Sequence, residues 1–396
     1  MTGPQTRDEA LEVYQKAPRR VAPPVLARTA GVVHGPGRNA IDAERNDELL
    51  KRAAVCEACT DEACGIKTCT GCRRRALLSN PGMVCPADPP KWGPIALPRI
   101  RKIGWVLSAR NEGVEVSRTV MSLRWALVRP ETELLIVVVD DGSRDGSCAN
   151  LSAHVIHNET AQGTALSQEA GMKAALAWGA EVVGFSDAHM RFDSELLEVL
   201  ADKALSERCL VQGLSRGFDI LLPCGLICQL WRAKSGIIEA KWCDPLVAGP
   251  WAKGDAPMGA SVAASRETIL AMSVPTGRFW DNVAGAWGYQ EETLAMKAGL
   301  MGVPIYVSSR WGTFHMYRQV NPFAGSWPAK NLNIGWALAL YFSPETYGKH
   351  FRKPVERILG PAVERQVFHA AEGAITRPWS PADEERFIEG LEWKAD

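Results

Sequence analysis

The sequence predicts an α/β protein: a mostly parallel sheet flanked by helices, preceded by a small cysteine-rich module and followed by a helical extension. Three observations carry this prediction. The stretch LLIVVVDDGSRDGS, from Leu134 to Ser147, runs six aliphatic residues straight into two aspartates and a glycine. A continuous run of this kind, rich in β-branched residues and ended by turn formers, is a strand buried on both faces. From Ile103 onward, apolar runs alternate with helix-like segments, which is the signature of parallel strands joined by crossover helices. Six of the eleven cysteines crowd between positions 56 and 85, which sets that segment apart.

Taken in order, residues 1–50 alternate Pro, Arg and acidic residues with little apolar periodicity and form a loosely ordered extension. The cysteine-rich module spans 51–95, and GPIALP supplies a linker. Within the main domain, 96–320, IGWVLSA is the first strand, EVSRTVMSLRWALV a helix and LLIVVV the second strand. TALSQEAGMKAALAWG is then a helix packed on the sheet, and EVVGFSD the third strand. The extension, 321–396, is helical, with Trp336, Leu340, Phe351 and Phe368 as core contacts.

Composition excludes some partners. Lys plus Arg and Asp plus Glu both number 45, for a formal net charge of zero, so no global field draws the chain to nucleic acid or membrane. The basic clusters at Arg19–Arg20, Arg73–Arg75 and Arg99–Lys102 are short and read as solvated surface. No stretch approaches the ~20 apolar residues of a transmembrane helix. The first residues carry no apolar signal core, so a cytoplasmic location is expected. The sequence sets no oligomeric state.

The clustered cysteines include two Cys-x-x-Cys pairs, Cys56/Cys59 and Cys69/Cys72. Each pair can supply two thiolates to one tetrahedral ion, which predicts structural Zn²⁺. A disulfide knot would need an oxidising compartment, and an iron–sulfur cluster is a third option. Cys64 and Cys85 make six thiols for four ligand positions, so the ligand set stays open. The closing CPADPPKW resembles small cysteine-rich modules of some phage and bacterial proteins, a likeness that implies no function.

Chemistry is expected at the carboxyl ends of the strands, where open α/β sheets bind ligands. Asp140, Asp141 and Ser143 stand there, either to hold a small polar ligand or to cap the following helix. The third strand ends in FSDAHMRFD, which places Asp187 and His189 two residues apart. In extended backbone their side chains point the same way, and a carboxylate beside an imidazole can share a divalent cation.

In this order the motifs resemble the GT-A-fold glycosyltransferases, specifically the broad family 2 group. Its first strand ends near Asn-Glu, here SARNEG with Asn111 and Glu112. Its second ends in Asp-Asp-Gly-Ser-x-Asp-Gly-Ser, here Asp140 to Ser147. A glycine-bearing helix start follows, here QGTALSQEAG with Gly163, then a metal-binding Asp-x-Asp, then a late acidic helix start, here WGYQEETLAMKAG. The likeness runs from Ile103 to Arg318. The metal site is nearer to that of the polypeptide N-acetylgalactosaminyltransferases, which carry Asp-x-His and a later His. Here these are Asp187-Ala188-His189 and, within SRWGTFHMYR, His315.

The resemblance implies a Rossmann-like fold and a nucleotide-sugar donor, UDP before GDP or dTDP. It implies Mn²⁺ or Mg²⁺ on Asp187, His189 and His315, and a donor site framed by Ser108, Arg110, Asn111, Glu112, Asp140, Asp141, Ser143, Gly163 and Asp187. Counting back from Leu294 places Glu291 where inverting members have their general base and retaining ones have Asn. The implied reaction is transfer with inversion to an acceptor hydroxyl, and a retaining protein O-glycosyltransferase is the alternative. One departure is Gln168-Glu169 in place of an Arg-Asn that would face the diphosphate, with Arg318 or Lys173 as replacement cations. The acceptor stays open among a saccharide or lipid-linked saccharide, a protein side chain, and a hydroxymethylated DNA base. Trp242, Trp251, Trp280 and Trp287 cluster in the acceptor half, either as core or as stacking faces. A non-enzymatic scaffold or nucleic-acid-binding protein with a decayed transferase domain is the remaining class, favoured by Gln168 and Gln290.

Overall fold

The computed structural model describes residues 101–127, 129, 132–218, 227–243, 249–257, 261–283, 288–316 and 327–393. The cysteine-rich segment, with Cys56, Cys59, Cys69 and Cys72 and the zinc expected on them, lies outside the described residues, as do Trp287 and Arg318.

The N-terminal half follows the predicted alternation. Strand β1 (Arg101–Ala109) leads to helix α1 (Glu115–Ala126), β2 (Thr132–Asp140), a short β3 (His154–His157), α2 (Thr164–Trp178) and β4 (Val182–Asp187). The aliphatic run is buried as expected: Val137, Val138 and Val139 are all inaccessible to solvent. β3 was not foreseen, because HVIH is too short and too exposed to carry a periodic signal.

After β4 come β5 (Met190–Phe192), α3 (Leu196–Ser206), β6 (Leu210–Gly217), β7 (Ile227–Arg232), β8 (Ile238–Cys243), β9 (Trp251–Gly254) and β10 (Ser261–Ser265). Then follow α4 (Arg266–Ser273), α5 (Gln290–Leu300) and β11 (Ile305–His315). The nine-stranded sheet is ordered β3-β2-β1-β4-β10-β6-β11-β5, with β9 also on β11. Pairing is parallel from β3 to β4 and between β6 and β11, and antiparallel where β10 meets β4 and β6 and where β11 meets β5 and β9. The sheet is therefore mixed rather than mostly parallel. Local periodicity reports that a segment is a buried strand but not which distant partner it takes, nor in which direction.

One face of the sheet is covered by α1 and α3 around Trp105, Leu107 and Leu123, and the other by α2, α4 and α5 around Val106, Phe185 and Phe279. Gly171 lets α2 lie close on β1: a Cβ there would stand 2.3 Å from a Val106 methyl. The C-terminal helices α6 (Trp327–Tyr341), α7 (Pro344–His350), α8 (Arg352–Leu359), α9 (Pro361–Glu372) and α10 (Pro381–Glu389) pack with β7, β8 and α5 in a further core. A final strand, β12 (Glu392–Trp393), joins β7 and β8 in a three-stranded sheet. Leu340, Phe351 and Phe368 are buried in that core as predicted, with Trp336 half-buried against it. Among the described residues no helix is long and apolar enough to cross a membrane.

Candidate functional site

The turns after β1 and β2 brace each other. The backbone N–H of Asn111 donates to the Ser143 hydroxyl (3.0 Å), that of Arg144 to Asn111 Oδ1 (2.8 Å) and that of Gly113 to Asp145 (3.0 Å). Gly142 and Gly146 both have positive φ, 75° and 70°, a conformation other residues rarely adopt. This explains why two glycines recur in the DDGSRDGS turn. Asp140 Oδ1 accepts from the Ser143 N–H (2.9 Å) and Oδ2 faces His157 Nδ1 (3.0 Å). Burial works the other way, but these bonds hold its carboxyl below the usual aspartate range.

Asp141, 5 % exposed, engages both its oxygens within the fold. It accepts from the N–H groups of Gln162 (2.7 Å) and Gly163 (2.9 Å), from Ser167 Oγ (3.0 Å) and from Asn158 Nδ2 (3.0 Å). It fixes the start of α2, with Gly163 at positive φ. Ser108 and Asn111 are half-buried and Arg110 is exposed at the same edge.

β4 ends at Asp187, and the short β5 that follows pairs antiparallel with the end of β11, setting Met190 opposite His315. This register brings together residues more than a hundred positions apart. His315 Nε2 lies 3.0 Å from Asp187 Oδ2 and 3.2 Å from His189 Nε2. His189 Nε2 is 4.0 Å from the same aspartate oxygen. The turn is locked from behind by Thr119 of α1, whose hydroxyl donates to the Ala188 carbonyl (2.9 Å) and accepts from the Met190 N–H (3.0 Å).

Proton bookkeeping shows what this cluster suits. The buried Glu112 carboxylate sits 3.1 Å from His189 Nδ1, so a neutral His189 carries its proton there and presents a lone pair at Nε2. His315 Nε2 has at most one proton for two acceptors, Asp187 and His189. A cation satisfies all three atoms, and ligand bonds of about 2.1 Å at right angles place donor atoms about 3 Å apart. Two imidazole nitrogens and a carboxylate oxygen make a mixed N/O donor set for a divalent cation. Glu112, expected among the donor-site residues, lies against His189 of this cluster.

Beside the cluster, Thr164, Gln168, Asp187, Pro257, Val262, Trp280, Gln290 and Glu291 line one cavity. Glu291, in the first turn of α5, is pushed up to about 7 by burial first, then by the neighbouring charges of Glu292 and Asp187. Glu292 is turned toward the Ala240 backbone and Lys330 and does not line this cavity. The Gln168-Glu169 departure also acquires a physical reading. Glu169 faces away from the cavity and accepts from the N–H groups of Phe279 (3.1 Å) and Trp280 (3.2 Å). Lys173 is mostly exposed and lies 3.6 Å from Glu169. Sequence reasoning had no local signal for Thr164, Pro257 and Val262, or for Trp280 as a cavity wall, because only the fold assembles them.

The central mixed sheet flanked by helices, with Asp187 at the end of β4 and Glu291 at the start of α5 lining one cavity, is consistent with a GT-A fold. Residues 105–220 match the family model for glycosyl transferase family 2. No curated protein matches the sequence. Among solved structures, GalNAc-T7 with UDP, GalNAc and Mn²⁺ is similar at TM-score 0.54 and 16% identity, covering 74% of this chain and 56% of that one. This chain thus spans little more than half the length of that protein. TarS from S. aureus, residues 1–349 in complex with UDP-GlcNAc, is similar at TM-score 0.42 and 15% identity, covering 68% of this chain and 71% of that one.

Proposed function

We propose that the protein transfers a sugar from a nucleotide-sugar donor, UDP-linked in the first instance, to an acceptor hydroxyl with inversion at the anomeric carbon. The observation that carries this reading is that Glu291 and Asp187 line the same cavity, so a candidate base and a candidate metal ligand face one reaction space. Asp187, His189 and His315 would hold the divalent cation. When bound, that cation neutralises charge on the departing diphosphate. The presence of UDP and Mn²⁺ in the GalNAc-T7 structure supports the same choice of donor and ion.

The chain's own groups then have distinct roles. The acceptor oxygen forms a bond to the anomeric carbon as the bond from that carbon to the phosphate oxygen breaks, and the nucleoside diphosphate leaves with the electron pair. Glu291 takes the acceptor proton. A carboxyl titrating near 7 is suited to this, being basic enough to accept a proton and still substantially ionised at neutral pH. The braced turns bearing Asn111, Ser143 and Asp140 form the floor on which the nucleoside would rest.

The test is turnover of UDP-, GDP- and dTDP-sugars with Mn²⁺, followed by mass spectrometry of saccharide, peptide and modified-DNA acceptor pools. No hydrolysis or transfer from any donor would overturn the enzymatic reading in favour of a scaffold. An α-linked product from an α-linked donor would overturn inversion in favour of the retaining alternative. The cysteine-rich segment is proposed separately as a zinc module, and elemental analysis showing no zinc would refute it.

A further inference from the structure

Buried polar groups in folded chains are almost always hydrogen-bonded, so exceptions call for a reason. Two such exceptions meet at the Glu291 cavity. The indole Nε1 of Trp280 and the amide Nε2 of Gln290 are buried with no hydrogen-bond partner, and both side chains line that cavity. Trp280 is 3 % exposed and Gln290 9 %.

Trp280 is not free to turn elsewhere. Its ring stands edge-on to Phe185 and to Phe279, each at 5.3 Å between centroids, and its backbone N–H is held by Glu169. Gln290 opens α5 immediately before Glu291. The fold therefore holds two buried N–H donors in place, at a cost, on side chains that line a cavity whose acidic members are Asp187 and Glu291. An N–H donor without an acceptor is a recognition element that awaits one, and a site built to bond a polar group discriminates strongly against ligands that lack it.

Resting on the proposed function, we infer that the Trp280 and Gln290 N–H groups bind oxygens of the transferred sugar, selecting a neutral, hydroxyl-bearing hexose over a sugar carboxylate. A hydroxyl can accept from an indole or amide N–H while donating to a carboxylate, and so matches both kinds of wall group. A uronate could accept from the N–H groups but would bring a third negative charge beside Asp187 and Glu291. A donor sugar with its hydroxyl removed at the contacted position would leave an N–H unpaired.

Isothermal titration with Mn²⁺ present tests this on the full chain, using UDP, UDP-glucose, UDP-N-acetylglucosamine and UDP-glucuronate as probes. GDP- and dTDP-glucose are substituted if no UDP compound binds. The variants Trp280→Phe and Gln290→Met both remove the N–H, the first with loss of ring volume and the second at nearly constant bulk. Each should weaken the best neutral sugar nucleotide about tenfold while leaving free nucleotide within twofold of wild type. UDP-glucuronate should bind wild type at least tenfold more weakly than that neutral donor. Thermal melts of Gln290→Met provide the structural control: removing its unpaired donor at nearly constant bulk should leave Tm unchanged or raised, whereas a purely structural role would lower it. Neutral-donor affinity equal to wild type in both variants would overturn the inference while leaving the donor reading intact. If wild type binds none of the sugar nucleotides, the donor reading itself fails and the inference with it.

Discussion

Among the aspartates that meet basic side chains, Asp281 and Asp187 have surroundings that differ in one respect. Asp281 is 5 % exposed and Lys297 fully buried, and every strong group between them is accounted for. The Asp281 carboxylate accepts from Thr276 Oγ1 and Tyr341 Oη, both at 2.6 Å, and pairs with Lys297 Nζ. Lys297 Nζ also donates to the carbonyls of Arg278 (2.8 Å) and Phe279 (3.2 Å). Burial lowers the Lys297 pKa, but Asp281 supports its charge. Around Asp187, by contrast, two imidazole nitrogens face each other at 3.2 Å with one proton between two acceptors. A buried ion pair closed by hydrogen bonds holds structure, whereas two imidazoles converging on one carboxylate bring three donor atoms within reach of one another. The two are connected, because the Lys297 network pins α5 and the Phe279–Trp280 segment, and so holds Glu291 and Trp280 in the cavity.

The sharpest way to break this comparison is to remove members of the Asp187–His189–His315 cluster. Asp187→Ala and His189→Ala should reduce donor turnover by on the order of a thousandfold or more, as expected for loss of a Lewis acid. Their Tm should change little, since strand-end groups contribute little to the core. Chelation should mimic them and added Mn²⁺ should restore the wild type alone. Full activity of either variant in EDTA would remove the metal from the account. The buried pair should behave in the opposite way: Lys297→Met leaves Asp281 buried and unpaired and should cost about 3–5 kcal/mol of stability, read by urea unfolding. A loss below about 1 kcal/mol would show that the network is not the brace described.

A smaller effect is expected behind the cluster. Glu112→Ala removes the group that fixes the His189 tautomer and should weaken Mn²⁺ binding about 10- to 100-fold, measured by paramagnetic resonance titration. Glu112→Gln, which still offers an acceptor oxygen, should lose less. Equal affinity in all three proteins would show that the 3.1 Å contact does not orient the ligand.

How much of this was legible in the sequence depended on range. The runs at 103–109 and 134–139, the helix from Thr164 and the Asp187-x-His189 pair are local patterns, and each fell where its periodicity placed it. His315 was visible only through resemblance, since its approach to His189 depends on β5 pairing with β11, a register no local signal encodes. The antiparallel half of the sheet was hidden for the same reason. Gln168-Glu169 looked like the loss of a phosphate-facing cation, yet Glu169 braces the Phe279–Trp280 backbone from 110 residues away. Asp141 reads from sequence as either a ligand contact or a cap on the next helix, and its oxygens accept the N–H groups at the start of α2. Sequence patterns report residue types and local geometry well, but which of two faces a buried carboxylate addresses is decided by tertiary neighbours.

The last expected effect separates function from stability at Glu291. Its carboxyl is raised from 4.5 to about 7 by burial, Glu292 and Asp187. In the unfolded chain it ionises near 4.5, so between about pH 4.5 and 7 the folded state holds a proton that the unfolded state has lost. Stability from this group is therefore fully present below about 4.5, falls as pH rises towards 7, and is flat beyond. Glu291→Gln removes the titration, so the variant should match wild type in Tm near pH 4.5 and exceed it by a few degrees at pH 8, both measured in chelator. Acceptor turnover should run the other way. In wild type it should rise with pH as the base form populates, with bound cation drawing the midpoint below 7. In the variant it should be low and nearly independent of pH. A variant less stable than wild type at pH 8, or one that keeps wild-type turnover, would show that Glu291 is neither strained by its charge nor the base.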